Sequence, residues 1–472
     1  MSGRVNNIFQ LLLLAGIMLL SGCMLGPDFQ QAQYRGPDRF RFDTAAPDTV
    51  LNLRWWELLD DPVLDTLIRI ALEENKDVLI AARHIEAARS NLGYTRADRW
   101  PEVHMAGGIS ASGSGSSASS AFTLYPEFSW EIGFWGKYRR MNEAAQAQYL
   151  ASEYAQRMIQ LSLITAVAST YYTILANKDQ LAIATSTLAS RDSGLLIMQD
   201  KYEGGMISLM DLNQAKIQRD IAAALVPVYR RAIAINENAL SLLLGHLPQE
   251  IATGKPFHQH KYDLDIPAGI PSQLLQRRPD ILQAEALYHA QLANVGVAEA
   301  LRWPSLSLTG LLGTASSDLT SLNAIGLTWS AGATLFSPLF QFGKNKRRVE
   351  IARANAQAAL LQYEKTVQQA FRDVEDALVS ISSFRDELIA QESRTKTAIE
   401  SESLSYVRYD EGSTTYLEVL EQQRQSFSAQ LDVLTTRLNL INSYFLLYKA
   451  LGGGWLTPDE EKNYNNPGGS IR

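Results

Sequence analysis

The chain has 472 residues, 46% apolar and 20% charged, which is material for two or three domains or one elongated one. A net charge of −7 weighs against nucleic acid as a partner. The single cysteine, Cys23, excludes an internal disulfide and a cysteine-based zinc site.

In chain order, residues 1–22 read as an export signal. Arg4 gives the positive start, and the apolar run from Ile8 to Leu20, broken by Gln10 and Gly16, is short for a spanning helix. It ends in Leu20-Ser21-Gly22-Cys23, which resembles a bacterial lipobox. In such a box the cysteine is lipidated and begins the mature chain, held by its acyl chains. Met24 stands where inner-membrane lipoproteins commonly carry Asp, which favours the outer membrane. Residues 23–60 then read as a lipid-anchored linker, punctuated by Gly26-Pro27-Asp28, Gly36-Pro37-Asp38 and Ala46-Pro47-Asp48.

A first half, 61–247, opens with helical pattern from Pro62, and a second helical run, about 76–99, stops at Trp100-Pro101. Between 103 and 133 the period changes to two. Val103, Met105 and Ile109 share a side. Phe122, Leu124, Phe128, Trp130 and Ile132 share another, opposite Thr123, Glu127, Ser129 and Glu131. A Gly/Ser tract at 112–120 is expected to join two strands of about 10 residues. Pro126 implies a bulge or a missing N–H in the second. Long helical runs over about 137–244 follow, interrupted at Gly204-Gly205, with Pro227 expected to bend the later one.

After a connector, 248–270, the text repeats over 271–452; a tail, 453–472, closes the chain. Asp77-Val78-Leu79 returns as Asp280-Ile281-Leu282, and Arg99-Trp100-Pro101 as Arg302-Trp303-Pro304, both at an offset of 203. Trp135-Gly136-Lys137 returns as Phe342-Gly343-Lys344, Lys201-Tyr202 with Gly205 as Arg408-Tyr409 with Gly412, and Leu244-Gly245 as Leu451-Gly452, at 207. The second strand pair falls within about 305–336; Ile325, Leu327, Trp329, Ala331, Ala333 and Leu335 alternate with small polar residues. From Lys344 to Glu411 there are 68 residues without Gly or Pro, and 39 more follow Gly412 up to Leu451. Apolar spacings of 3 and 4 along both runs predict helices wound on neighbours, the first roughly 100 Å long. Each half therefore reads helix, strand, strand, long helix, turn, helix.

Four strands cannot close a barrel, and an open edge in lipid leaves backbone groups unpaired. Oligomerisation is the expected solution: two copies give a filled 8-stranded lumen, three give 12 strands with room for a passage. A soluble sandwich beside a separate coiled coil is the competing arrangement.

At this point the residues resemble a known family, the TolC-like outer membrane factors, in their NodT-type efflux lipoprotein branch. The resemblance covers nearly all the mature chain. It is carried by the lipobox with Gly26-Pro27-Asp28, Trp55-Trp56 with Asp61-Pro62-Val63-Leu64, the two Arg-Trp-Pro motifs, Phe342-Gly343-Lys344 and the Tyr-x-x-Gly turns at 202–205 and 409–412. The resemblance implies a mainly α fold with a pair of transmembrane β hairpins. It implies a homotrimer whose 12-stranded barrel in the outer membrane continues into a helical barrel in the periplasm. There it would dock on a periplasmic adaptor (a membrane fusion protein) and an inner-membrane pump. The chain would be a passive exit duct, without cofactor or enzyme activity.

The resemblance also places a periplasmic gate at Asp211, Tyr409, Thr414, Glu418 and Glu421, with three copies of Glu418 and Glu421 crowding six carboxylates. Such crowding should raise some of their pKa values and favour cations. Thr414 stands where TolC-type members carry an arginine that ties the closed state, so a latch here departs from the family pattern. Adaptor contacts would come from Tyr202, Gly205, Ser208, Gly412 and Thr415. His258-x-His260 lies in the connector without cysteine or a methionine cluster nearby, and reads as a loop pair rather than a metal site. The residues leave the cargo open among drugs, metal ions and polypeptides. The alternative function is a structural lipoprotein that tethers the envelope by coiled coils without conducting.

Overall fold

The computed structural model describes residues 24–31, 39–42, 59–115, 117–261, 271–316 and 327–453. Cys23, the export segment, Trp55-Trp56, Ile325 and the tail beyond Gly453 lie outside the described residues. The elements are α1 (Pro62–Glu74), α2 (Lys76–Ala97), β1 (Glu102–Ser114), β2 (Ser117–Ile132), α3 (Lys137–Glu203), α4 (Leu209–Leu243), a 3-10 turn (Phe257–Gln259), α5 (Pro271–Arg277), α6 (Pro279–Ala300), β3 (Ser305–Ser316), β4 (Leu327–Phe336), α7 (Lys344–Asp410) and α8 (Tyr416–Ala450). The expected repeat of helix, two strands, long helix, turn and helix is present twice, and α3 and α7 have 67 residues each.

The chain divides into two compact units. One comprises Met1–Gln33, Arg83–Tyr154 and Leu282–Thr366; the other comprises Tyr34–Ala82, Ala155–Ile281 and Val367–Arg472.

The first unit holds an antiparallel four-stranded sheet in the order β1-β2-β3-β4. Its register explains the alternation read from the sequence. Val103 opposes Phe128, and Ile109 opposes Phe122. Trp130 opposes Leu308 and Ile132 opposes Leu306, which in turn oppose Ala333 and Leu335. Directly opposed residues share a face, so one face is apolar across all four strands. The other carries His104, Glu127, Ser129, Thr309 and Thr334. The apolar face is not covered: Met105, Ile109 and Trp329 are 71%, 75% and 73% exposed.

One strand expectation needs correction, and another resolves to the second of its two alternatives, the missing N–H. The Gly/Ser tract is not a loop, because pairing runs through Ser112↔Ser119 to Ser114↔Ser117. Ladder hydrogen bonds override the weak strand propensity of Ser and Gly, so β1 and β2 reach 13 and 16 residues rather than about 10. Pro126 makes no bulge. It pairs with Met105 on one side. On the other, the ladder pauses between Leu124↔Thr314 and Glu127↔Leu311 with its register unchanged. Gly313 fits there because a Cβ would lie 2.3 Å from the Tyr125 Cβ.

Also in this unit, the chain after Cys23 is strapped down. Arg140, 1% exposed, donates to the Leu25 and Gly26 carbonyls and to Asp28 at 2.7 Å. Met24 packs against Gly136, where a Cβ would stand 3.1 Å from its Cα. Gly26, at φ +90°, lies on Gly296, whose Cβ would meet the Leu25 carbonyl at 2.6 Å.

The second unit is helical with an aromatic core. Asp61 caps α1 through Val63 N and Leu64 N, with Pro62 at the first helical position. Its other oxygen accepts from the Tyr171 hydroxyl at 2.9 Å. Tyr172 stacks edge-on against Phe257 and Phe445. Burying each such ring contributes about 2–3 kcal/mol. The apolar stretch of α3 is long enough to cross a membrane by composition, but 56% of it is buried within the protein.

The repeat is closed alike in both halves. Asn75 donates to the Leu243 carbonyl at the end of α4. Its counterpart Arg278 donates to the Ala450 carbonyl at the end of α8, and is held by Asp280 and Asp373. Each takes one of the carbonyls a helix end leaves unpaired.

Candidate functional site: the paired helical turns

Residues 198–215 and 405–424 belong to the second unit and carry every candidate gate and contact residue. Both turns share one backbone. At the end of α3, Gly205 N donates to Tyr202 O and Met206 N to Lys201 O. At the end of α7, Gly412 N donates to Tyr409 O and Ser413 N to Arg408 O. Both glycines sit at φ +71°, the left-handed conformation that ends a helix in a Schellman motif. Nothing lies within 4 Å of a Cβ at either one, so backbone conformation rather than crowding selects glycine.

The side chains differ. Ser208 caps α4, its hydroxyl accepting from Asp211 N, while Asp211 accepts from Ser208 N at 3.1 Å and from its hydroxyl at 2.7 Å. That is a reciprocal capping box. Thr415 occupies the same place before α8 with no side-chain cap. The counterpart of Asp211 is Glu418, one methylene longer. It accepts from the Thr414 hydroxyl and from Arg408 Nη1 at 2.6 Å. Thr414 therefore does not tie the turn to another element; it serves Glu418 locally.

Lys201 crosses from the first turn to the second. Its ammonium donates to the Tyr409 hydroxyl at 3.2 Å and lies 4.7 Å from that ring's centre. Tyr409 also points its hydroxyl at the sulfur of buried Met198 and packs against Tyr416 at 5.3 Å. Burial pushes the Tyr416 hydroxyl up to about 12. Asp211 is occupied by Ser208, and the partners of the Tyr409 hydroxyl are Lys201 and Met198.

Glu421 makes a two-pronged ion pair with Arg424 at 2.7 Å and accepts from Gln425. Arg424, then Gln425, hold this carboxyl below the usual carboxylate value. Within one chain, then, Arg424 acts against the rise expected from crowding. Tyr202 is 38% exposed, Gly205, Ser208 and Gly412 are also exposed, and Thr415 is exposed at the tip of its turn.

His258 and His260 face apart. His258 pairs with Asp179 at 2.8 Å. His260 is buried, with Nδ1 against the Tyr172 hydroxyl and Nε2 against the Lys255 carbonyl. Among the described residues no cluster of three or more His, Cys, Asp or Glu could hold a metal ion.

Sequence reasoning missed Lys201, Arg408 and Arg424. The 207-residue offset held the signal for two of them, since it aligns Lys201 with Arg408 and Asp211 with Glu418.

The chain matches the model of the outer membrane efflux protein family over residues 67–246 and 270–453. It is 35% identical over 471 residues to the solvent efflux pump outer membrane protein SrpC of Pseudomonas putida, covering 95% of this chain and 98% of that one. It is 33% identical to the cation efflux system protein CusC of Escherichia coli, covering 93% and 97%. The crystal structure of the Campylobacter jejuni CmeC outer membrane channel aligns with a TM-score of 0.87 at 25% identity, over 94% of this chain and 98% of that one. With its sheet, repeat and paired turns, this chain belongs to the outer membrane efflux protein family and is an outer-membrane efflux channel protein.

Proposed function

We propose that three copies of this chain assemble into a 12-stranded barrel in the outer membrane, continued by a helical barrel, as the exit duct of a tripartite efflux system. One observation carries the reading: an apolar, uncovered sheet face ends in two edge strands, β1 and β4, with no further partner strand among the described residues. In lipid each unpaired backbone group costs several kcal/mol, so the edges must find each other in neighbouring copies. The chain does no chemistry of its own; a periplasmic adaptor and an inner-membrane pump deliver the cargo. Relatives named for solvent and for cation efflux are both similar over nearly the whole chain, which supports leaving cargo choice to the pump.

In this reading residues 61–247 and 271–452 are the two halves of each wall segment. The turns at Tyr202, Gly205, Ser208, Gly412 and Thr415 meet the adaptor. Glu418 and Glu421 face the mouth as a cation-attracting ring, and Tyr409 with Thr414, through Glu418, shapes the closed state, while Asp211 stays on its own cap. Cys23 carries the acyl anchor. The Arg140 strap supports that, because it fixes Met24 beside Gly136 and the last residues of β2. Cysteines introduced in pairs along β1 and β4 test the assembly. Oxidation should give a crosslinked ladder ending at three copies; a ladder that stops at two, or continues past three, contradicts it.

A further inference from the structure

At the end of the sheet where β2 runs into α3 and β4 into α7, all within the first unit, lies a cavity of about 270 Å³. Its apolar wall is Trp135 on Trp303, ring centres 4.9 Å apart, pinned by the Trp135 indole N–H donating to the Pro304 carbonyl at 2.7 Å. Its polar wall holds three cations and one carboxylate. Glu131 is taken by Lys137 at 2.9 Å. Lys344 and Arg348 remain, one turn apart on α7, and neither has a carboxylate partner among the described residues. Asn345 holds Arg348 in place, accepting from its guanidinium at 3.0 Å while donating to the Leu301 carbonyl. Like charges four residues apart on a helix repel, and the first turn of α7 adds its own positive end. The lining therefore has excess positive charge and no internal anion to match it.

Beside this cavity, Phe340 and Phe342 pack on each other at 4.6 Å and stand 76% and 91% exposed. They follow β4 in the chain, whose Leu335 is exposed on the sheet's apolar face. Aromatic rings at the rim of a lipid-facing band, next to unmatched cations, fit an anionic headgroup with its acyl chains on the apolar side.

We propose that this cleft is a phospholipid site: Lys344 and Arg348 bind the headgroup phosphate of an anionic phospholipid, and Phe340 and Phe342 pack on its acyl chains. The inference rests on the sheet being the membrane-embedded part. Its test therefore reads lipid and channel separately. Delipidated full-length protein in detergent is titrated with phosphatidylglycerol or with diacylglycerol of the same chains, and bound lipid is counted by native mass spectrometry. Bilayer conductance is recorded for the same samples. The wild type should retain phosphatidylglycerol and not diacylglycerol. Lys344→Gln/Arg348→Gln should bind it about thirtyfold more weakly, with conductance unchanged. Lys396→Gln, elsewhere on α7, should match the wild type. Equal retention by the double variant overturns the proposal, as does equal retention of diacylglycerol. A Phe340→Cys variant that crosslinks to a second copy across this patch also overturns it.

Discussion

The turns at 204–208 and 411–415 are two outcomes of one design. Their backbones agree down to the same positive φ at Gly205 and Gly412, yet their acids do opposite work. Asp211 is short and folds back onto its own cap residue. Glu418, with one more methylene, reaches past an uncapped Thr415 to Thr414 and Arg408. The basic residues diverge too: Lys201 leaves its turn for Tyr409, while Arg408 stays on its own. Duplication preserved what the backbone needs. Divergence closed the first turn's cap on itself and left the second turn's acid held by an ion pair that can be broken.

Substitutions at the two turns put that contrast to the test. The largest effect should come from Gly205→Val and Gly412→Val. Each forces a β-branched residue into the left-handed region at about 2 kcal/mol or more, and hydrogen exchange should speed equally at both turns. Export should fall while the assembled protein stays in the membrane; unequal exchange would mean the backbones are not equivalent in solution. Next, Ser208→Ala should loosen the first turn of α4 by about 1 kcal/mol, whereas Thr415→Ala should scarcely alter α8. Equal losses would erase the asymmetry of the caps. Glu418→Gln, by freeing Arg408, should cost only about 0.5 kcal/mol of stability, because the pair is largely exposed. It should nevertheless raise the open fraction in bilayer recordings, and Asp211→Asn should not.

The smallest effect is one of pH. Because Arg424 depresses the Glu421 pKa, the carboxylate is charged above that lowered value and neutralises only as pH falls through it. Arg424→Gln should move the loss of cation preference upward, towards the ordinary value of 4.5. A pH profile identical to the wild type would show that Arg424 does not set this charge.

Much of this molecule is written in breakers and periods. A run free of Gly and Pro gave α7 nearly to the residue, and one without Pro and broken only by Gly194 gave α3, since little else ends a helix wound on its neighbours. The apolar alternation of β2 and β4 gave the sheet's apolar face. What did not show was pairing across distance. Nothing near Arg140 in sequence says that it straps Leu25, Gly26 and Asp28 from more than a hundred positions away. Likewise Arg278 reaches Ala450 only once the end of α8 has been brought back beside the junction of α5 and α6. Within the site, Glu418 and Glu421 were legible as acids on one helix face. Their separate arginines were not, because Arg408 lies across the turn and Arg424 reads as an ordinary break in an apolar stripe.

Single-channel recording in a planar bilayer, on protein whose mass has been fixed by light scattering, decides whether three chains make a duct. A complex of three chains should conduct with a preference for cations, and with a weaker preference after Glu418→Gln/Glu421→Gln. A three-chain complex that inserts but passes no current, or a conducting species built from one or two chains, would contradict it.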